Sequence, residues 1–188
     1  MNRRQFLTGA ALLSVYPAWA AGSIQLAYVA SFGCGVCNEF NGSYDAFVQQ
    51  MGGDVAFVPV GQNEEDWVAR AWYAMDKKVK SPAALRSSLF GINHRLKLQN
   101  PDMEELIQFL KLEGIEIPDS EMRIGMNSNA TLDRMLRGAF LAGEARIEYT
   151  PAMVITRGRS VLKTIEKRNM SNADFISACV AAKREFEA

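Results

Sequence analysis

Histidine and cysteine are scarce in this sequence, and neither sign of charge is in excess. Its 188 residues include one histidine and three cysteines, which are too few for a metal-rich enzyme. Lysine plus arginine number 21, as do aspartate plus glutamate, so the formal net charge is zero. That balance excludes a strongly basic nucleic-acid binder and an acidic solvating tail, and we expect no nucleic-acid partner. A Ser/His/Asp set, a phosphate-binding loop and a cluster of metal-binding carboxylates are also missing.

Long hydrophobic runs are missing from most of the chain as well. Beyond residue 20, no apolar stretch reaches the roughly twenty residues that a membrane-spanning helix needs. Hydrophobic residues make up 48% of the sequence and charged residues 22%, which is typical of a folded globular protein and excludes disorder. The length fits one domain, so we expect a soluble single-domain protein.

The first twenty residues are typical of a secretory signal peptide. Residues 1–5 are basic, residues 6–15 are mostly apolar, and residues 18–20 have an A-x-A cleavage pattern. The apolar run is only about ten residues long, which argues against the alternative of a membrane anchor. The segment RRQFL also resembles a twin-arginine export signal, although ordinary secretory signals contain paired arginines too. Both routes predict export to a bacterial cell envelope, where oxidising conditions let disulfides persist.

The start of the mature chain has the pattern of a strand, a helix and a second strand. Residues 24–30, IQLAYVA, predict a buried strand, and residues 54–60, DVAFVPV, predict another. Between them, apolar residues recur at steps of three and four, as on one helix face: Cys37, Phe40, Tyr44, Phe47, Val48 and Met51. Gly42 interrupts this pattern and is a candidate position for a bend.

The middle of the chain has start signals for several helices. Acidic residues follow Asn63, a proline follows Ser81, and the sequence NPD occurs at residues 100–102. A short helical turn is expected after Asp119, and a long helix is expected after residues 127–129. The buried stripe predicted for the long helix consists of Leu132, Met135, Leu136, Ala139, Phe140 and Gly143.

The end of the chain returns to strands. Residues 152–156 and 160–164 predict a hairpin, and residues 172–186 predict a last helix. Neither end of the chain has enough strands for a sheet of its own, so both ends should share one sheet. We therefore predict an α/β core, residues 21–62 and 148–188, which a helical insertion at about 63–147 interrupts.

The strongest chemical signal is the sequence Cys34-Gly35-Val36-Cys37. Cys34 lies at the predicted start of a helix, where free N–H groups and the positive end of the helix dipole favour a thiolate, the reactive form of cysteine. Cys37 lies one turn further on the apolar stripe and should be buried and protonated. The asymmetry predicts that Cys34 is the nucleophile and that Cys37 resolves the mixed disulfide, with Gly35 and Val36 as the spacer.

Two structural explanations for the cysteine pair stay open. Zinc sites also use cysteines separated by two residues, but only Cys179 and His94 could supply the remaining ligands, at a spacing that matches no ordinary zinc pattern. We therefore expect no metal. A plain structural disulfide is the second explanation, although a helix start favours a reactive thiolate. Cys179 lies on an apolar helical stripe and is expected to be a buried free thiol rather than a third redox partner.

The segment FGCGVC at residues 32–37, after a first strand, resembles the active site of the thioredoxin superfamily. The helical middle, followed by YTPAMVI at residues 149–155, a hairpin and a last helix, resembles the DsbA type of periplasmic thiol–disulfide oxidoreductase. The resemblance covers essentially the whole mature chain. It implies a thioredoxin-like fold with an inserted all-helical subdomain and catalysis without a bound cofactor. It also implies cysteine-containing exported proteins as substrates and re-oxidation by a DsbB-type membrane partner.

The resemblance further implies a role for Thr150 and Pro151. In that family the matching proline is cis and packs beside the cysteine pair. Thr150 would then offer backbone N–H and C=O groups to an extended substrate chain, as in strand addition. A trans proline at the first residue of a strand is the alternative explanation.

Three positions depart from the family pattern. Many members carry a polar residue where Val36 stands, and Val36 cannot hydrogen-bond to a thiolate. The family often has an acid and a lysine beneath the cysteines, whereas the approximately aligned Tyr28 and Phe57 cannot form an ion pair. Because the reduced form is then less stabilised, we expect a weaker oxidant than the strongest family members.

The sequence thus predicts a monomeric periplasmic enzyme that introduces or exchanges disulfides in exported proteins. One alternative is an isomerase or reductase that a membrane donor keeps reduced, because Thr150 before the proline is similar to those enzymes. Such isomerases carry a dimerisation domain before the core, for which the predicted mature start leaves no room. The alternative from another class is a non-catalytic periplasmic chaperone with a structural disulfide.

Overall fold

A four-stranded mixed sheet forms the centre of the structure, a computed structural model that describes residues 23–98 and 100–187. The strands are β1 (Ile24–Ala30), β2 (Ala56–Pro59), β3 (Ala152–Arg157) and β4 (Ser160–Glu166), in the order β2-β1-β3-β4. β1 is parallel to β2 and antiparallel to β3, and β3 is antiparallel to β4. The two ends of the chain therefore share one sheet, as predicted. The predicted signal peptide, residues 1–20, lies outside the described residues.

The single helix predicted after the cysteine pair is divided into α1 (Gly35–Asn41) and α2 (Tyr44–Gln50). The division falls at Gly42, where the helix propensity is weakest, and the N–H of Gly42 donates to the carbonyl of Phe40. The apolar stripe nevertheless keeps one face across the junction. Its buried members are Cys37, Phe40, Tyr44, Phe47 and Met51.

Within the described residues, five helices fill the middle of the chain. They are α3 (Trp67–Met75), α4 (Pro82–His94), α5 (Met103–Leu112), α6 (Asp119–Asn127) and α7 (Asn129–Glu144). Side-chain caps begin four of them, namely Asp66, Ser81, Asp102 and Ser128. The predicted starts near Ser81 and residues 100–102 are confirmed. α6 is longer than the expected turn, because Met122 and Met126 anchor it in the core.

The buried face of α7 differs from the predicted stripe. Met135 is buried as expected, but Leu136 and Phe140 are 44% and 69% exposed. Ala139 and Gly143, also predicted to face inward, are exposed as well. The buried residues of the helix are Thr131, Met135 and Gly138. The prediction was wrong because it counted large apolar residues, whereas the helix approaches its neighbours most closely at a glycine.

The two faces of the sheet have separate cores, as the alternation of side chains along β1 requires. Tyr28 and its neighbours on one face pack against α1, α2, the helical middle and α8 (Asn172–Glu187). Ala27 and Val29 on the other face pack against Val154 and the segment around Ala145. The cysteine pair belongs to the first of these cores.

Cys179 lies in α8 and is fully buried, as predicted. Burial raises the pKa of the Cys179 thiol to about 12, which keeps it protonated and unreactive. In residues 23–98 and 100–187, no helix combines the length and the apolarity that crossing a membrane would require.

Gly138 provides a test of how closely α7 packs against α3 and β2. A Cβ atom at Gly138 would lie 2.5 Å from the hydroxyl of Tyr73 and 3.0 Å from Val58. That hydroxyl donates to the carbonyl of Pro59. We expect Gly138→Ala to lower the free energy of unfolding by about 1–3 kcal/mol, measured by urea denaturation.

Gly143→Ala, in the same helix, is the matched control, because a Cβ there would meet nothing within 4 Å. This variant should be neutral or should gain up to about 1 kcal/mol. Equal stability changes in the two variants would contradict the close approach at Gly138.

Candidate active site

Cys34 is the residue that caps the start of α1. It follows the turn after β1, and its backbone N–H donates to the carbonyl of Ser31 at 3.1 Å. Its backbone is extended, with φ −82° and ψ 119°, and its Sγ accepts the backbone N–H of Cys37 at 3.2 Å. The sulfur therefore occupies the position of an N-cap oxygen, facing N–H groups that the helix leaves unpaired.

This environment lowers the pKa of Cys34 to about 5. The largest cause is a side-chain hydrogen bond with Cys37, which outweighs the opposing effect of partial burial. A side-chain hydrogen bond with Thr150 and the backbone amides of Cys37 and Val36 lower the pKa further. Cys34 is consequently ionised at neutral pH and can act both as a nucleophile and as a leaving group.

Cys37 has the opposite character. It is fully buried, and desolvation followed by the hydrogen bond to Cys34 raises its pKa well above the ordinary value. In the dithiol state the proton therefore stays on Cys37, which shares it with the Cys34 sulfur. The pair has one accessible thiolate and one buried thiol behind it.

Thr150 and Pro151 lie opposite the cysteine pair although they are more than a hundred residues away in the sequence. The Thr150–Pro151 peptide bond is cis. Sγ of Cys34 lies 3.4 Å from the carbonyl oxygen of Thr150, to which it can donate when it is protonated. The antiparallel pairing of Val29 with Ala152 carries both segments to the same end of the sheet.

The spacer residues leave the sulfur open to partners. A Cβ at Gly35 would meet nothing within 4 Å, and Val36 is 42% exposed. The surface beside Cys34 is thus apolar at position 36, and the N–H groups of the backbone take the place of a polar side chain as hydrogen-bond donors to the thiolate.

An aromatic cluster lies beneath the cysteine pair. Tyr28 and Phe57 are paired neighbours on β1 and β2, with ring centroids 5.9 Å apart. Tyr28 also stacks on Phe40, the residue one turn after Cys37, at 5.3 Å. The Tyr28 hydroxyl is buried and has no hydrogen-bond partner among the described residues. Positions 28 and 57 therefore provide no charge beneath the sulfurs.

The sequence analysis missed a buried cation near this cluster. Arg86 on α4 is 4% exposed, and its guanidinium lies 4.2 Å from the ring centroid of Tyr44. It donates to Asp45 at 2.9 Å and to Asn41 at 2.7 Å. Neither partner is near Arg86 in the chain, so helix periodicity gave no signal for it.

His94 was also missed as a contact of the active-site turn. It ends α4, and its Nε2 lies 2.9 Å from the carbonyl oxygen of Phe32. Because a carbonyl only accepts, Nε2 carries the hydrogen of this bond. The bond ties α4 to the turn that precedes Cys34. In the described part of the chain, no three metal-binding side chains form a cluster.

Solved structures resemble this arrangement of elements over nearly its whole length. DsbA from Xylella fastidiosa matches with a TM-score of 0.70 and 22% identity, covering 89% of each chain. The oxidoreductase NmDsbA1 from N. meningitidis matches with a TM-score of 0.66 and 17% identity, covering 91% of this chain and 89% of that one. This chain has the DsbA fold. The predicted thioredoxin-like class with a helical insertion is confirmed.

A third neighbour broadens the DsbA likeness. A putative protein disulfide isomerase from Nitrosomonas europaea matches with a TM-score of 0.68 and 13% identity, covering 88% of this chain and all of that one. No family model matches the sequence, and no curated protein matches it. The TM-scores of these three structures establish the fold of the chain, and at identities of 13–22% the likeness shows the fold alone.

The two tyrosines beneath the site give a matched test of its hydrogen bonding. Tyr28→Phe removes a hydroxyl without a partner in the described residues, so the free energy of unfolding should stay equal or rise. Tyr44→Phe removes a hydroxyl that donates to the carbonyl of Val55 at 3.2 Å, and should lose about 0.5–1.5 kcal/mol. Urea denaturation of the reduced proteins measures both. A loss for Tyr28→Phe as large as that for Tyr44→Phe would contradict the hydrogen-bond assignment.

Proposed function

We propose that this protein is a thiol–disulfide oxidoreductase that acts on cysteine-containing exported proteins in the bacterial periplasm. The observation that carries the proposal is the contrast between two neighbouring sulfurs. Cys34 is accessible, with a pKa lowered to about 5, and Cys37 is buried and protonated. This division suits a disulfide in which a substrate thiolate attacks Cys34 and Cys37 is the leaving group. The Cys34–Cys37 bond then forms again when the enzyme is re-oxidised.

The cycle transfers two electrons from substrate to enzyme. A substrate thiolate attacks Sγ of Cys34 in the oxidised pair, the bond between Cys34 and Cys37 breaks, and Cys37 leaves and takes up a proton. A second substrate thiolate then attacks the substrate sulfur of the mixed disulfide and expels Cys34. Because a thiol of low pKa is a good leaving group, the substrate departs oxidised and the enzyme keeps two reduced cysteines.

Thr150 and Pro151 form the substrate-binding edge in this proposal. Thr150 lies across from Cys34 just before the start of β3, where an extended chain could add to the backbone. Residues 21–62 and 148–188 make up the redox core, and the insertion at about 63–147 covers it. The ring centroids of Trp72 in the insertion and Phe57 in the core lie 4.8 Å apart, and this contact supports the packing of the insertion on the core.

Re-oxidation requires a partner that accepts two electrons. We infer a membrane oxidoreductase of the DsbB type, and no NAD, flavin or metal on this chain. The signal-peptide pattern of residues 1–20 supports a periplasmic location, and we infer that the protein acts there as a monomer. The fold likeness to a putative disulfide isomerase supports a second candidate function, isomerisation or reduction by the same cysteine pair held reduced.

Trapping tests the assigned roles directly. A Cys37→Ala variant cannot resolve the mixed disulfide, so it should accumulate substrate attached through Cys34 when incubated with a disulfide-containing protein. Mass spectrometry after acid quenching identifies the attached sulfur. Cys34→Ser should form no adduct and should lose oxidation of reduced ribonuclease A. A Cys34→Ser variant with full activity would instead support a binding protein with a structural disulfide.

Val36 provides a test of oxidising power. Equilibration with glutathione should give a less oxidising potential than that of the strongest DsbA-type enzymes, because no side chain at position 36 stabilises the thiolate. Val36→His should make the pair more oxidising, and a shift of about 30 mV corresponds to ~1.4 kcal/mol. Val36→Leu is the control of similar polarity and should leave the potential unchanged. A wild-type potential as oxidising as those enzymes would overturn this expectation.

A further inference from the structure

The segment before Pro151 is bound to the end of β4. Glu166 is the last residue of β4, and its backbone pairs with Ala152, the residue directly after Pro151. The N–H of Lys167 donates to the carbonyl of Pro151 at 3.0 Å. The residues that follow β4 therefore lie directly beside the proposed substrate-binding edge.

One carboxylate oxygen of Glu166 accepts two consecutive backbone amides. The N–H of Glu148 donates to Oε1 at 2.6 Å, and the N–H of Tyr149 donates to the same atom at 3.2 Å. The Glu166 side chain is only 16% exposed. Desolvation raises the pKa of Glu166, but the hydrogen bonds from Glu148, Arg168 and Tyr149 outweigh it. The pKa therefore lies below its ordinary value, and the carboxylate is ionised at neutral pH.

Arg168 holds the same segment from the solvent side. Its Nε donates to the other oxygen of Glu166 at 2.7 Å, and its guanidinium also pairs with Glu148. The guanidinium lies 3.7 Å from the ring centroid of Tyr149, within the range of a cation–π contact. Glu166 thus fixes the backbone of residues 148–149, and Arg168 covers their side chains.

The next residue in this segment is Thr150, whose carbonyl oxygen lies 3.4 Å from Sγ of Cys34 and whose side chain lowers the pKa of Cys34. We propose that Glu166 is a positioning residue that holds residues 148–150 so that Thr150 faces Cys34 and the incoming substrate chain. The inference rests on the proposed thiol–disulfide exchange. The acceptor oxygen, rather than the charge, does the positioning.

Removing the acceptor should act on substrate binding. In Glu166→Ala the N–H groups of Glu148 and Tyr149 lose their acceptor and hydrogen-bond to water instead. Residues 148–150 then populate other conformations. Because only a fraction of molecules then presents Thr150 correctly, KM for a dithiol peptide should rise about threefold to tenfold, with a smaller change in kcat. The pKa of Cys34, followed by thiolate absorbance, should also rise, because the hydrogen bond from the Thr150 side chain that lowers this pKa is weakened.

Glu166→Gln separates positioning from charge. The glutamine oxygen can still accept both amides, so this variant should recover most of the loss in KM and in the Cys34 pKa. Arg168→Met leaves the amide acceptor in place and should raise KM less than Glu166→Ala. Glu116→Ala is the matched control for loss of an ion pair, because Glu116 and Lys80 are exposed in the helical middle of the chain. It should match the wild type.

The outcomes distinguish this inference from the proposed function. Wild-type protein that oxidises no dithiol peptide would overturn the proposed function. An active wild type together with a Glu166→Ala variant of unchanged KM and Cys34 pKa would overturn the positioning role alone. A Glu166→Gln variant as impaired as Glu166→Ala would overturn the acceptor explanation. If Glu166→Ala does not fold, as judged by circular dichroism, the other two variants still test the inference. Both keep the amide acceptor, so a KM raised tenfold or more in Glu166→Gln or in Arg168→Met would overturn the acceptor explanation.

Discussion

The rest of the structure depends on the hydrogen bonds that converge on the sulfur of Cys34. The backbone N–H of Cys37 at 3.2 Å, the Cys37 thiol and the Thr150 side chain all favour the thiolate over the thiol. The helix start directly after β1 brings the Cys37 donors to this atom, and the segment before β3 brings Thr150. The sheet supplies that geometry, because β1 lies between β2 and β3 and its end carries the turn to Cys34. The site is therefore a product of backbone topology more than of polar side chains.

The surroundings of the pair set its oxidising power. Neutral aromatic rings lie beneath the sulfurs, and the exposed neighbour is Val36, so the side chains at positions 28, 36, 40 and 57 carry no charge that competes with the backbone donors. The nearby cation, Arg86, is bound to Asp45 and Asn41 and lies over Tyr44. The thiolate is thus stabilised by short-range hydrogen bonds, which are insensitive to salt compared with exposed charges.

Local patterns were enough to predict much of the fold. The strands, most helix starts and the cysteine pair at a helix start all follow from neighbouring residues, and Gly42 marked the division between α1 and α2. The face of α7 did not follow, since Phe140 is as apolar as a core residue and the close approach is made by Gly138. Glu166, Arg86 and His94 were missed because each has a partner that is distant in the chain, namely Tyr149, Asp45 and Phe32, at 17, 41 and 62 residues. Periodicity contains no information about such contacts.

Alkylation of Cys34 as a function of pH tests the central claim most directly. Reduced protein is treated with iodoacetamide in brief pulses between pH 3 and pH 10, and mass spectrometry quantifies the modification of each cysteine. The account predicts that the rate at Cys34 follows a single ionisation with a pKa of about 5, while Cys37 and Cys179 stay unmodified in the folded protein. A midpoint near that of an ordinary free thiol, about 8.5, would contradict it.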